Sequence, residues 1–301
     1  MMNTNSFPQV DVCVVAYNQA PLIESSIQSI LDQDYPNFRI IVSDDDSQDE
    51  TPAVLKRLAE LHPDKIKLNF NPKNLGITGN SSYVLSLATA NYVALLAGDD
   101  LMRKDRLSKQ VHRLQQHPQA AGCMSSVLVE DVTTQESHVG HFPDFASEDF
   151  LKILTTYNQV PSSTLMLNRT QCGDIHYDPR TPIVSDWLFV NEIAFKGMVY
   201  VDEPLTIYRR HASNTTLHGA DKTYLDDRLI AVDILFSKLQ RHYWKFRYAR
   251  SNVYLGVANR YWLTGKKRQG LWFIVYALLE YPCNKNVYES FLKVIQKRFR
   301  G

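Results

Sequence analysis

The sequence predicts an α/β protein: a doubly wound, mostly parallel sheet, followed by a C-terminal α-helical region. Three observations carry this. Short β-branched runs alternate with stretches of helical spacing from Val10 to Leu114. Acidic residues gather directly after two of those runs, at Asp44–Asp46 and at Asp99–Asp100. Past residue 221 the strand signals stop and long helical stretches rich in aromatic residues take over. A βαβα order argues for a parallel sheet. Such sheets bind ligands beyond the carboxyl ends of their strands, which is where both acidic groups fall.

Each element has its own signal. Val10–Val15 is a β-branched run and reads as the first strand. Ile23, Ile27, Ile30 and Leu31 then recur at helical spacing. Phe38–Val42 is the second strand. Thr51-Pro52 opens a helix, since Pro suits a first turn, and Val54, Leu55, Leu58 and Leu61 line one of its faces. Ile66–Phe70 alternates as a third strand, a helix is expected over Asn80–Ala88, and Tyr92–Leu96 is a fourth strand. Leu107, Val111 and Leu114 mark another helix. Between residues 120 and 215, CMSSVLVEDV and STLMLN read as strands, SEDFLKILTTY and DWLFVNEIAFKG as helices. The helical region reads as YLDDRLIAVDILFSKLQRHYWKF, YARSNVYLGVANRYWLTG and KKRQGLWFIVYALLEYP. The last two form a helix–Gly–helix–Pro hairpin. The expected division is residues 1–220 as one domain and 221–301 as a basic helical region.

Charge sharpens that division. The chain of 301 residues carries a net charge of +1. Residues 1–221 hold 17 Lys and Arg against 27 Asp and Glu, a net of −10. Residues 222–301 hold 16 against 5, a net of +11. A basic tail beside an acidic body suggests an anionic surface as partner. The final stretch, FLKVIQKRFRG, reads equally as a docked helix or as one lying in a membrane interface. A nucleic-acid role is not expected, because the charges are spread over helices without a recognised motif.

Other classes fall away. The start, MMNTNSFPQV, has no basic segment followed by an apolar one, so no secretory leader is expected. The longest apolar stretch, LWFIVYALL at 271–279, is about half of the ~20 residues that span a bilayer. The four cysteines form no C-x-x-C, which argues against a zinc ribbon and for reduced cytosolic thiols. Asn80, Asn168 and Asn214 each open an N-x-S/T triplet, read here as chance.

The motifs that carry chemistry are acidic. In SDDDSQDET, Ser47-x-x-Glu50 resembles a capping box, and acids suit a helix N-terminus. Capping accounts for Asp49, Glu50 and in part Asp46. It leaves Asp44 and Asp45, whose carboxylates could accept from a nucleobase N–H or a ribose hydroxyl. In LLAGDDLMRKDRL, two acids after a buried strand are costly without a cation or donors. Hard oxygen ligands there suit Mg²⁺ or Mn²⁺ shared with a diphosphate, although a capped turn would look the same. The chain has neither a P-loop nor a G-x-G-x-x-G, so phosphate charge must be met by metal, helix termini or basic side chains.

Four segments in order resemble family 2 glycosyltransferases, the inverting group with the GT-A fold that uses nucleotide-diphosphate sugars. They are VDVCVVAYNQAPLIESSIQSILDQDYPNFRIIVSDDDSQDET, NLGITGNSSYVLSLATANYVALLAGDD, PIVSDWLFVNEIAFKG and VDEPLTIYRRHASNTT. The resemblance implies a GT-A, Rossmann-like sheet and a role for each matched residue. Tyr17 would line or stack on the base, and Asp44 would read the pyrimidine, with Asp45 and Asp46 beside the nucleotide. Asp99 would hold Mg²⁺ or Mn²⁺ beneath the diphosphate, with Asp100 and His211 as further ligands. Arg209 and His211 would close over the diphosphate. Asp186 would take the acceptor proton, although by itself it reads equally as a helix cap. Two positions depart from the family pattern: Ala97 stands at the usual first metal-motif acid, and Asp46 where the family usually has Gly.

The expected function is transfer of a sugar, with inversion, from a nucleotide donor such as a UDP-sugar to a hydroxyl of a glycan or lipid-linked acceptor. Surface polysaccharide synthesis at the cytoplasmic face of the membrane follows from the resemblance. Two alternatives stand beside it. One is a noncatalytic nucleotide- or glycan-binding module of the same fold. The other is a sugar nucleotidyltransferase, which would show a Gly-rich basic segment where this chain has AYNQAPLIE.

Overall fold

A computed structural model describes residues 7–141, 161–211, 222–239, 243–263 and 265–289. They fall into two compact units, one within residues 7–211 and one from residue 222 onward.

The first unit runs β1 (Val10–Ala16), α1 (Ala20–Leu31), β2 (Phe38–Asp44), α2 (Thr51–Leu61), β3 (Ile66–Phe70), α3 (Gly76–Ser86) and β4 (Tyr92–Ala97). It continues with β5 (Leu101–Met102), α4 (Arg106–Gln116), β6 (Gly122–Asp131) and β7 (Ser137–Gly140). After a 3-10 turn at Ser162–Thr164 come β8 (Met166–Asn168), the short α5 (Arg169–Cys172), α6 (Ser185–Phe195) and β9 (Met198–Arg210).

The sheet order is β3-β2-β1-β4-β8-β6-β9-β5, with β7 paired to β6. The first four strands are parallel, as a βαβ reading requires. Beyond β4 the sheet is mixed. β8 is antiparallel to both neighbours, β6 and β9 are parallel to each other, and β5 is antiparallel on β9. Antiparallel neighbours such as β8 and β4 do not need the helical crossover that parallel ones do.

Alternate residues of the central strands face two layers. Val10, Val12 and Val14 pack with Ile23, Ile27 and Ile30 of α1, Leu55 and Leu58 of α2, and Leu107, Val111 and Leu114 of α4. Cys13 faces the other way, against α3, where its thiol contacts the Val84 carbonyl. Burial pushes that thiol pKa well up, so it is an inert core group. Each fully buried aliphatic side chain contributes about 1.5–3 kcal/mol.

Two boundaries differ from expectation. Helix α3 begins at Gly76, not Asn80. Gly76 has a φ of 73°, so the chain turns into the helix there, and its N–H donates to Asn74 Oδ1. The capping box expected at α2 does not form: its N-cap residue Glu50 makes no side-chain capping bond.

The second unit contains α7 (Lys222–Leu239), α8 (Tyr243–Leu263) and α9 (Lys267–Glu280). Helix α8 takes Tyr243–Phe246, which the sequence reading had assigned to the preceding helix. α8 and α9 form the expected hairpin around Gly265, whose φ is 79°. Leu255, Ala258, Ile274, Ala277 and Val287 make its core. At Gly270 the helices touch: an added Cβ would lie 3.0 Å from the Ala258 carbonyl. Among the described residues no helix is long and apolar enough to cross a membrane.

The expected helix in SEDFLKILTTY and the terminal FLKVIQKRFRG lie outside the described residues. Asn80 and Asn168 are buried with their amides bonded inside the protein, which closes both to glycan attachment. Asn214 lies outside the described residues.

Candidate active site

Strand register brings the acidic groups to one edge. Ala16 pairs with Asp44, and Val15 pairs with Ala97. Neighbouring strands lie about 4.8 Å apart, so the carboxyl ends of β2, β1 and β4 open side by side. Tyr17 follows β1 and is 47% exposed at this edge, which leaves its ring available for stacking on a base.

The loops after β1 and β2 are interlocked. Asn18 N–H donates to Ser47 Oγ (2.9 Å), Gln19 N–H to Thr51 Oγ1 (2.8 Å) and Ala20 N–H to Asp49 Oδ2 (3.1 Å). In return Gln48 N–H donates to Asn18 Oδ1 (2.8 Å). The opening turn of α1 is thus capped by residues of the β2–α2 loop. Asp49 also accepts from Thr51 N–H at 2.9 Å, so one carboxylate serves two helices. Burial works against its charge, but the bonds from Thr51 and Ala20 outweigh it and hold its pKa below the usual carboxylate range.

Asp44 lies under this loop. It accepts from Ser47 N–H (3.0 Å) and Ser47 Oγ–H (2.6 Å), one on each oxygen. A carboxylate has about four acceptor sites, so capacity remains for a ligand donor. Asp46 adopts a φ of 62°, in the left-handed region that Gly enters without strain and Asp tolerates. Gln48 Nε2–H donates to Asp46 O and Oδ1.

Asp45 has structural partners of its own. It was expected against the nucleotide, yet its Oδ1 accepts from Asn71 Nδ2–H and Leu75 N–H, both at 2.8 Å. It holds the β3–α3 loop. Asn71 Nδ2 also donates to Asn80 Oδ1, and Asn69 Nδ2 donates to Ser43 Oγ and Asn71 Oδ1. This buried amide network went unread in the sequence. Its only signal was four asparagines between residues 69 and 80, which suggest loop chemistry as readily as a network.

The β4 end is built around Gly98. An added Cβ there would lie 2.4 Å from Gln19 Oε1, 2.7 Å from Ile23 Cδ1 and 3.0 Å from the Val15 carbonyl. The next residue, Asp99, meets His211 at the end of β9, with Nε2 to Oδ2 at 3.0 Å. Asp100, expected as a further metal ligand, is 0% exposed, and its Oδ1 accepts from Arg209 N–H at 3.2 Å. Burial first, and the Asp99 charge second, push its carboxyl pKa well up. Among the described residues no three His, Cys, Asp or Glu side chains gather as a ligand cluster. Asp99 and His211 put one hard oxygen donor and one nitrogen donor side by side. Mg²⁺ commonly takes one or two protein ligands and completes its shell with substrate phosphates and water.

Arg209, expected over the diphosphate, is turned inward. It donates through Nε to the Asp99 carbonyl, through Nη1 to Ser25 Oγ (2.8 Å) and through Nη2 to Leu22 O (3.1 Å). It clasps β9 to α1 and to the Asp99 turn.

Asp186 sits in the first turn of α6, and its Oδ1 accepts from Trp187 N–H at 2.7 Å. The helix N-terminus favours its ionised form. Thr78 Oγ1 lies 2.9 Å from Ser185 Oγ and joins the first turns of α3 and α6. Two helix N-termini thus meet near this carboxylate, a setting that suits anionic ligands.

The model of the family described as Glycosyl transferase family 2 matches residues 11–173. The chain belongs to this family. Among its curated relatives is the putative glycosyltransferase EpsE of Bacillus subtilis, 39% identical over 127 residues, covering 42% of this chain and 46% of EpsE. Another is the GalNAc(5)-diNAcBac-PP-undecaprenol beta-1,3-glucosyltransferase of Campylobacter jejuni, 29% identical over 224 residues, 71% of this chain and 69% of that one. The chain thus spans less than half of EpsE and about two thirds of the Campylobacter protein. Among solved structures, S. aureus TarS 1-349 in complex with UDP-GlcNAc superposes with a TM-score of 0.64 at 15% identity, covering 82% of this chain and 72% of TarS. The fold is therefore the GT-A arrangement. The family match ends before Asp186, Arg209 and His211.

Proposed function

We propose that this family 2 protein transfers one sugar, with inversion, from a nucleoside-diphosphate donor to a hydroxyl of a glycan or lipid-linked acceptor. The observation that carries this is the Asp99–His211 pair at the same sheet edge as Tyr17 and Asp44. That edge offers a ring for a base, a carboxylate for its N–H, and a donor pair for a cation under a diphosphate. A UDP-linked donor is favoured because TarS, of the same fold, holds UDP-GlcNAc. A lipid-linked acceptor is favoured by the name of the Campylobacter relative, and it would bring the protein to the inner face of a membrane as a peripheral protein. Synthesis of a surface polysaccharide fits both.

The chemistry is one displacement. Asp186 takes the proton of the acceptor hydroxyl as its oxygen attacks the anomeric carbon. The bond from that carbon to the diphosphate breaks on the opposite face, and its electron pair leaves with the diphosphate. Asp99 and His211 would hold Mg²⁺ or Mn²⁺, which when bound stabilises the charge on the departing group. Asp45, Asp100 and Arg209 position the loops around this edge.

A thermal-shift panel of nucleotides and nucleotide sugars, with and without Mn²⁺, tests the donor site. A ligand that binds the folded state alone raises the Tm by mass action. A Mn²⁺-dependent shift with one nucleotide class supports the reading and names the donor. A flat panel on folded protein overturns it.

A further inference from the structure

Helix α9 exposes what a packed helix hides. Leu271, Trp272, Val275, Tyr276 and Leu279 all face outward, with Trp272 66% and Leu279 65% exposed. At about 100° per residue they share an arc of roughly 140°. The opposite arc carries Gly270, Ile274 and Ala277, buried in the α8–α9 hairpin. Exposed Arg268 lies on the axis of the outer arc, one turn before Leu271 and Trp272, and exposed Lys267 flanks that arc, whereas Lys266 packs over the Tyr261 ring at 5.9 Å. At the far end, Arg247 donates to the Leu279 carbonyl (2.6 Å) and lies 6.0 Å from the Tyr243 ring centroid. This brings the exposed Tyr243 and Trp244 of α8 to the Leu279 end. The single acid of α9, Glu280, is paired with Arg250 at 3.1 Å.

We propose that this face binds the headgroup region of an anionic lipid bilayer, with α9 lying in its plane. Arg268 and Lys267 meet anionic headgroups. Trp272 and Tyr276 suit the interface, where one end of a ring is apolar and the other wet. Leu271, Val275 and Leu279 enter the acyl boundary. Charge selects this occupant over a second copy: residues 222–301 carry a net +11, so two such faces would repel. The inference deepens the peripheral placement in the reading above. Its test uses neither donor nor acceptor, so it can fail while sugar transfer stands.

The experiment is flotation of the full chain with vesicles of phosphatidylcholine alone, or mixed with phosphatidylglycerol. Binding to the mixed vesicles only, weakened by salt, is expected. Lys267→Gln and Arg268→Gln should each weaken it about fivefold. Trp272→Ser with Leu279→Ser should weaken it about tenfold or more, with an unchanged melting curve because both side chains face outward. Absence of binding to mixed vesicles overturns the proposal, as does binding that both sets of variants leave intact. A dimer that Trp272→Ser with Leu279→Ser converts to monomer, without vesicle binding, would assign the face to a second copy instead.

Discussion

His211 Nε2 lies 3.0 Å from Asp99 Oδ2, joining residues 112 positions apart at the ends of β9 and β4. This contact makes one donor pair out of two segments that the sequence keeps separate. Asp99→Ala and His211→Ala should each lower Mn²⁺-dependent nucleotide affinity at least about tenfold. Titration calorimetry with and without Mn²⁺ measures it. A metal-dependent affinity that survives both changes would remove the pair from donor binding.

Asp186→Asn should lower kcat by about 10³-fold while leaving donor affinity near wild type, because a general base contributes about 10²–10⁴. Single-turnover transfer alongside donor titration separates the two. Equal losses in both would mean that the residue shapes the donor pocket instead.

Arg209→Met removes the bonds to Ser25 Oγ, Leu22 O and the Asp99 carbonyl together. The expected cost is about 3 kcal/mol, since bonds from a charged donor are worth about 1.5–3 kcal/mol each and act here as a unit. A lower urea midpoint would show it. Arg209→Lys should recover only part, because an ammonium lacks the planar fork.

Gly98→Ala should destabilise by about 1–3 kcal/mol, since the methyl group would press on Val15 O, Gln19 and Ile23. Asp46→Gly should hold or raise the Tm, because the left-handed backbone at Asp46 suits Gly better than any L side chain. Asp46→Val should lower it. The three melts together check the backbone geometry of the site edge.

Asp49 titrates in the folded state below its unfolded value of 3.8. Its contribution is therefore full above that value and is lost as the pH falls through the lower, folded pKa. Asp49→Asn keeps one acceptor oxygen and loses the other, so it should cost about 1 kcal/mol near neutral pH, the net worth of one hydrogen bond. The gap between the two proteins should narrow only below pH 3.8 in acid unfolding curves.

What was legible in the sequence was local. The runs Val10–Val15, Phe38–Val42 and Tyr92–Leu96 became β1, β2 and β4, because central parallel strands are buried on both faces and read as unbroken apolar runs. Asp44 and Asp99 were singled out by their place after such runs. What stayed hidden depends on distant partners. No local pattern shows that Asp49 caps α1 as well as α2, that Asp45 answers Asn71 and Leu75, or that Asp100 faces inward to Arg209. Periodicity likewise marked α9 as helical but could not say which side of it was covered.

The reciprocal bonds between residues 18–20 and 47–51 bear on how such a chain can be rebuilt. A chimera that imports the β2–α2 loop from a relative, but keeps its own Tyr17–Ala20, mismatches donors and acceptors on both sides of the seam. The two stretches make one exchangeable cassette despite the 12-residue helix between them. Changing donor preference by grafting would mean moving both together.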